Sequence, residues 1–379
     1  MPHALTGHDA APHALPRTIA ALQRGIDAGE HPGAQLYVSQ HGRVVADLAL
    51  GEARPGVAMT PSSLNLWMSS TKPLIAVAIA QQYERGRLDL DDPVARHVPE
   101  FAAHGKQAIT IRHVLTHTGG FHTTATNWMD GPWTTQVARV CSQPLAKGWV
   151  PGEKAGYHTS TGAFILGEIV RRLDGREVDR YLREMTLLPL QLSDAWVGMP
   201  AHVFESYGNR IAPLVNTDAK AKQPAEFFDF LSTAEAASVC RPGSGGWGPI
   251  RSLGRFYEAL LDGGGPLLGP AAVDLFTRPA RVGMLDHTFG QVMDWSLGFM
   301  LNSWHYAPAA CWYQFGPHAS PRTFGHSGHQ SSCAFADPEH GLAVAWVCNG
   351  MPGEAAHRRR WVAINRAIYE DLGLAAPQQ

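Results

Sequence analysis

Of the 379 residues, 45% are hydrophobic and only 17% charged, a balance that can bury a large core in one big domain or two packed lobes and that excludes a disordered chain. Lys and Arg together number 31 against 33 Asp and Glu, so no overall field draws the protein onto nucleic acid or an anionic membrane. No apolar run approaches membrane-spanning length, and Met1 to Pro16 alternates His, Ala and Pro without the basic and apolar regions of a signal peptide, which makes a cytoplasmic protein the expectation.

From the N-terminus, Ile19, Leu22 and Ile26 lie on one face of a predicted helix that Gly29 and Gly33 end. Ala34 to Ser39 and Val44 to Leu50 read as two strands of a hairpin turned by His41-Gly42. Leu74 to Ala80 is apolar all round and stops near Gly86, the pattern of a buried helix. The centre of the chain is mostly helical in pattern, and the glycine-rich stretches Gly243 to Gly248 and Gly263 to Gly265 read as loops. Trp295 to Leu301, Ser332 to Ala336 and Leu342 to Val347 read as strands, the last two joined by the turn-forming Asp337-Pro338-Glu339-His340-Gly341. In the final helix Trp361, Ile364, Ile368 and Leu372 make one apolar stripe, with Arg358 to Arg360 read as a solvated face. Strands at both ends and helices between them predict an α/β (α+β) protein. Residues 1–85 and 290–379 would build an antiparallel sheet flanked by helices, with a mostly helical lobe, 86–289, inserted.

The five cysteines, Cys141, Cys240, Cys311, Cys333 and Cys348, are odd in number and lack C-x-x-C spacing. That argues against a disulfide framework or a zinc knuckle and suits reduced thiols in a cytosol. Chemistry concentrates instead at Ser69-Ser70-Thr71-Lys72, the one Ser-x-x-Lys in the chain. Pro73 follows, and proline is tolerated only in the first turn of a helix, so Ser69 should stand at a helix N-terminus. Backbone N–H groups there have no intrahelical acceptor and can bind an oxyanion. Lys72 falls on the same side one turn later, where its amine can reach the hydroxyl. A partly desolvated lysine, or a phenolate beside it, could take the serine proton.

Leu66 to Pro73 resembles the nucleophile motif of β-lactamase-like serine hydrolases and penicillin-recognising enzymes. Arg85 to Pro93, Ile109 to Gly120, Pro151-Gly152-Glu153, Tyr157-His158-Thr159 and Leu166-Gly167-Glu168 are similar to further segments of that family, in family order. So are Phe324-Gly325-His326-Ser327-Gly328 and Phe335-Ala336-Asp337-Pro338, and the likeness runs from Ile19 to Leu372. The chain is identified as a member of this S-x-x-K group, similar to penicillin-binding proteins and to the family VIII carboxylesterases. The resemblance implies a β-lactamase/transpeptidase-like fold with its site in a cleft between lobes. It also implies roles: Ser69 attacks a carbonyl, Lys72 and Tyr157 share the proton transfers, and an acyl-enzyme forms that water later opens. The backbone N–H groups of Ser69 and His329 would hold the oxyanion, and His326, Ser327 and Gly328 would form the substrate-binding third motif. No cofactor or metal is implied.

Two departures from the family pattern bear on the substrate. Thr159 stands where the β-lactamase and peptidase pattern has Asn, and His326 where it has Lys, so the permanent cation that anchors a substrate carboxylate is missing. Both variants look more like the esterase branch. Other motifs carry less. His113 and His117 are spaced i, i+4 with His122 nearby, but no H-E-x-x-H accompanies them and they read as structural. Neither His326-Ser327-Gly328-His329 nor Ser244 satisfies G-x-S-x-G. Trp304, Tyr306, Trp312, Tyr313 and Phe315 crowd the long connection from Ser303 to Phe324, and Trp304 and Trp312 are expected to form an aromatic pocket wall, ahead of Trp128 and Trp133. The expected activity is hydrolysis of a small-molecule carboxylic ester with apolar groups. An acyltransferase using the same acyl-enzyme is the alternative, and a β-lactamase, a D-amino-peptidase or amidase, or a silent binding scaffold rank behind.

Overall fold

The computed structural model describes residues 15–121, 131–218, 220, 229–306 and 313–375. Strands β1 (Gly33–Gln40), β2 (Arg43–Arg54), β3 (Val57–Ala58), β4 (Met300–Leu301), β5 (Phe324–Gly328), β6 (Ser332–Asp337) and β7 (Leu342–Cys348) form one seven-stranded antiparallel sheet in the order β4-β5-β6-β7-β1-β2-β3. The two chain ends meet at its centre, where Leu36 of β1 lies opposite Trp346 of β7. His41 and Gly42 turn the first hairpin, both at positive φ (50° and 73°), as a tight two-residue turn requires.

Helices α1 (Pro16–Asp27), α2 (Lys72–Glu84), α3 (Thr161–Asp174), α4 (Arg251–Leu261) and α5 (Glu354–Asp371) cover the sheet and build the cleft. Period-two alternation sorts the strand residues. Leu36, Val38, Val344 and Trp346 face α1 and α5, where Leu22, Trp361, Ile364 and Ile368 meet them. Tyr37, Ala334, Ala343 and Ala345 face the other way, toward Leu253, Phe256 and Tyr257 of α4. A sheet buried on both faces shows near-continuous apolar strands, which is how β6 and β7 read. Helix α4 thus belongs to the sheet although it lies within 86–289. Helix α2 is buried at every position from Lys72 to Gln82 and packs against α3 in the same core.

Several expectations are corrected by packing. Of Trp295 to Leu301 only Met300–Leu301 joins the sheet. Gly298 adopts φ +93°, and the chain doubles back so that Trp295 bridges Met300 and Arg281. Gly246–Gly248 is a strand, not a loop, in a second sheet with Trp196–Val197, Leu64–Leu66 and Ile211–Ala212. The Trp67 ring lies across it, and a Cβ on Gly246 or Gly248 would come within 2.5 or 2.6 Å of ring atoms. Arg360 is buried rather than solvated. Successive helix positions turn by about 100°, so Arg359 points outward while Arg360 points in and donates to the carbonyls of Glu30 (3.0 Å), Gln330 (2.7 Å) and Gly350 (2.7 Å). Cys141, Cys240, Cys333 and Cys348 are free thiols, and Cys311 lies outside the described residues. Among the described residues no helix is long and apolar enough to cross a membrane.

Candidate active site

Ser69 stands in a 3-10 turn, Met68–Thr71, that runs straight into α2. Met68 takes the left-handed conformation (φ +50°), which kinks the chain just before the serine. The first amide bonded within the turn is that of Ser70, to the Trp67 carbonyl (3.2 Å), so the Ser69 N–H lies ahead of the hydrogen-bonded turn. Side chains pin the kink. The Thr71 hydroxyl donates to the Met68 carbonyl (2.7 Å) and accepts the Gly246 N–H (3.0 Å), while the Ser332 hydroxyl donates to the Trp67 carbonyl (2.7 Å) and meets Ser70 Oγ at 2.9 Å. Gly328, at the end of β5, passes directly over it. A Cβ there would sit 2.4 Å from the Trp67 oxygen, so glycine is what lets the third-motif strand close on the serine turn.

One turn along, the Lys72 amine donates to Ser69 Oγ at 3.0 Å and to the Gly243 carbonyl at 2.9 Å. Only 5% of this residue is exposed, and burial lowers the amine from its usual 10.5 to about 7. A substantial neutral fraction is therefore present at neutral pH. The Tyr157 ring lies 5.0 Å from the same amine, and its hydroxyl is hydrogen-bonded to Ser69. Burial pushes the phenol well above its ordinary value; the Ser69 hydrogen bond opposes this and the Asp286 carboxylate adds to it. Tyr157 accordingly keeps its proton, which leaves the lysine as the group able to accept one.

The Tyr157 backbone is held from a second segment. Its N–H donates to Asp286 Oδ1 (3.1 Å), and its carbonyl accepts the Thr288 hydroxyl (3.2 Å). Asp286 Oδ1 also receives the amides of Thr288 (3.0 Å) and Phe289 (3.2 Å). The carboxylate forms a fully buried ion pair with Arg281 (3.1 Å), which in turn donates to the carbonyls of Thr116 (3.0 Å) and Met293 (3.1 Å). Sequence reasoning missed Asp286 and Arg281. No motif marks them, and only their burial in a chain poor in charge reveals their importance.

A cleft of about 300 Å³ gathers these groups, with Ser69, Tyr157, Thr159, His326, Ser327 and His329 on its wall. His326 is buried. Its Nδ1 lies 2.8 Å from the Ser327 carbonyl, which can only accept, so Nδ1 carries the proton and Nε2 is left with a lone pair. Burial first, then the Lys72 charge, lower this imidazole to about 3, so it stays neutral. Thr159 is exposed, with a hydroxyl as its polar group. A larger groove of about 560 Å³, beside Ser39, Arg255 and Asp262, contains none of these groups.

The aromatic wall is made by Tyr313 and Phe289, with Met300 beside them. Tyr313 comes from the connection where a wall was expected, and its hydroxyl donates to Glu354 (2.8 Å), which also faces His329 at 3.3 Å. Trp304 is not part of the cleft lining; its N–H is tied to Asn302 Oδ1 (3.3 Å) in the turn just after β4. Trp312, Trp128 and His122 lie outside the described residues. Trp133 packs on Phe164 (5.3 Å) and donates to Glu168 (2.7 Å), giving it a structural position. His113 accepts the Thr110 N–H (3.2 Å) in a helix-capping box, and His117 accepts the His158 N–H (3.1 Å).

A Ser-x-x-Lys turn, a tyrosine facing it and a third-motif strand closing over it on an antiparallel sheet define a class of serine hydrolase scaffolds. This chain belongs to the beta-lactamase family, whose model matches residues 18–368. Among solved structures it is similar to a penicillin-binding protein homolog from Caulobacter crescentus (TM-score 0.80, 32% identity, 97% of this chain and 100% of that one). It is also similar to a family VIII carboxylesterase (TM-score 0.77, 26% identity, 96% and 100%). Among characterised sequences, the esterase/beta-lactamase LipL of Mycobacterium tuberculosis is 25% identical over 367 residues, 88% of this chain and 80% of that protein.

Proposed function

We propose that this chain hydrolyses carboxylic esters with apolar groups through an acyl-enzyme on Ser69. The observation that carries this reading is the Lys72 amine, 3.0 Å from Ser69 Oγ and lowered by burial to about 7. Ser69 Oγ bonds to the carbonyl carbon while its proton passes to Lys72 Nζ, and the carbonyl oxygen gains its negative charge facing the Ser69 and His329 amides. As the C–O bond to the alcohol breaks, Tyr157 gives the departing oxygen a proton and recovers one from the Lys72 ammonium. Water then attacks the acyl carbon, its proton goes to the same lysine–tyrosine pair, and the acid leaves as Ser69 regains its hydrogen.

Substrate choice follows from the wall. His326 is neutral, Thr159 carries no charge and Glu354 is itself a carboxylate, so among the described residues of the wall a substrate carboxylate finds no permanent cation where a β-lactam or peptide would need one. Phe289, Tyr313 and Met300 offer apolar surface instead. The names of the family VIII carboxylesterase and of the esterase/beta-lactamase among the similar proteins support the same reading. A series of p-nitrophenyl esters of rising chain length, assayed with and without added alcohols, is the test. Turnover dependent on Ser69 and covalent fluorophosphonate labelling of that residue are expected; labelling elsewhere, or none, overturns the assignment. Product esters forming in preference to free acid would make the protein an acyltransferase with the same intermediate.

A further inference from the structure

We propose that His117 is a positioning residue for Tyr157, clamping it by presenting two acceptors, its backbone carbonyl and its ring Nδ1, to the amides on either side of the tyrosine. The inference rests on the reading of Tyr157 as the proton donor to the leaving group. The amide of Gly156 donates to the His117 carbonyl (2.9 Å) and the amide of His158 donates to His117 Nδ1 (3.1 Å). Between them, the amide of Tyr157 itself donates the opposite way, to Asp286 (3.1 Å). Three consecutive N–H groups are thus divided between two anchors, with the tyrosine at the centre.

The ring of His117 adds a lateral constraint. It lies 4.8 Å from the Tyr157 ring and meets Trp295 edge-on at 4.4 Å, and only 6% of the residue is exposed. Its backbone is left-handed (φ +57°), a conformation rare for residues other than glycine but several-fold enriched in His and Asn. That conformation is what allows one residue to turn both its carbonyl and its side chain toward 156–158. Burial also pushes the imidazole well below its ordinary range, so the Nδ1 lone pair stays unprotonated and available. A hydroxyl that must hand a proton across a single hydrogen bond loses much of its effect when displaced by an ångström.

The test uses His117→Asn and His117→Gly in the full chain, each alone and combined with Tyr157→Phe. Both replacements tolerate the left-handed backbone. Asparagine carries its oxygen the same number of bonds from the backbone as Nδ1, and glycine carries no acceptor. With an ethyl butyrate substrate, whose ethoxide needs a proton to leave, His117→Gly should lower kcat about 100-fold with KM changed less than about threefold, while His117→Asn should stay within about fivefold of wild type. In the Tyr157→Phe background His117→Gly should cost less than about threefold, because the residue it serves is already gone. Should the glycine variant fail to fold, His117→Gln, whose oxygen sits one bond further out, replaces it with the same expectation. Equal losses in the asparagine and glycine variants, or the same loss with and without Tyr157→Phe, would overturn the positioning role while wild-type turnover left the proposed chemistry standing. A wild-type protein that neither turns over esters nor takes fluorophosphonate at Ser69 would overturn both.

Discussion

If Lys72 accepts the Ser69 proton, kcat/KM for an ester will track the fraction of neutral amine. Burial places that ionisation at about 7. Lowering the pH from 8 to 5 should then cut kcat/KM roughly 90-fold, with a slope approaching tenfold per pH unit on the acid side and a plateau above pH 8. Tyr157 is pushed far upward and His326 down to about 3, so neither of these two neighbours changes protonation across this window. The assay is initial-rate hydrolysis of a short aliphatic ester in a pH-stat, which avoids a chromophore that titrates in the same range. Lys72→Arg provides the control, since guanidinium keeps its proton throughout, and that variant should be slow and flat from pH 5 to 8. A wild-type profile that is flat down to pH 5 would put a carboxylate in the base role. A rate still climbing tenfold per unit beyond pH 9 would assign the base to Tyr157. Either result refutes the reasoning from burial.

Further outcomes follow from the same geometry. The Lys72 amine has a lower pKa folded than unfolded, so the unfolded chain binds the extra proton between about pH 7 and 10.5 and stability should rise with pH through that window. At pH 6 the buried ammonium costs on the order of 5 kcal/mol; Lys72→Met, which keeps the stem and forgoes two hydrogen bonds, should melt several degrees higher at pH 6, a gain that calorimetry at pH 10 should show shrinking. Ser69→Ala should abolish turnover and fluorophosphonate labelling with an unchanged melting temperature, whereas Lys72→Ala and Tyr157→Phe should each cost about two to four orders of magnitude in kcat and combine less than additively. Asp286→Ala strands the buried Arg281 charge and should destabilise by about 3–5 kcal/mol in urea titrations; a loss under 1 kcal/mol would mean the pair is not buried as described. On one preparation at one pH, a short p-nitrophenyl ester should exceed nitrocefin in kcat/KM, because a missing charge-assisted hydrogen bond forgoes roughly 1.5 to 3 kcal/mol. His326→Lys should narrow that gap, and a wild-type preference for nitrocefin would reverse the substrate assignment.

Features that local geometry dictates can be read from the order of residues alone. Ser69 and Lys72 meet because three residues make nearly one helical turn and Pro73 marks where the helix begins, and their 3.0 Å contact needs no distant residue to be anticipated. The hairpin at His41-Gly42, the apolar runs of β1, β6 and β7 and the apolar stripe of α5 were legible for the same reason: each is written within a few neighbouring residues. Tyr157 could be reached only through the family resemblance, since nothing in the surrounding periodicity distinguishes it from a core tyrosine. Decisions that depend on what arrives from elsewhere in the chain belong to the tertiary structure alone. Trp295 to Leu301 has the composition of a strand but pairs with the sheet over only two residues, because the chain turns at Gly298 (φ +93°), which is bonded to Leu115 and pressed against Ala76. Gly246 to Gly248 has the composition of a loop and becomes a strand because Leu64–Leu66 and Trp196–Val197 arrive to pair with it, its glycines leaving room for the Trp67 ring. Arg360 is buried because three carbonyls from different segments converge on it, and Tyr313 rather than Trp304 walls the cleft because Glu354 on α5 holds its hydroxyl there. Likewise Arg281 and Asp286 support Tyr157 from more than a hundred residues away. Burial, which moves Lys72 to about 7 and keeps Tyr157 and His326 neutral, is a property of the packed core and so appears only once the chain has folded.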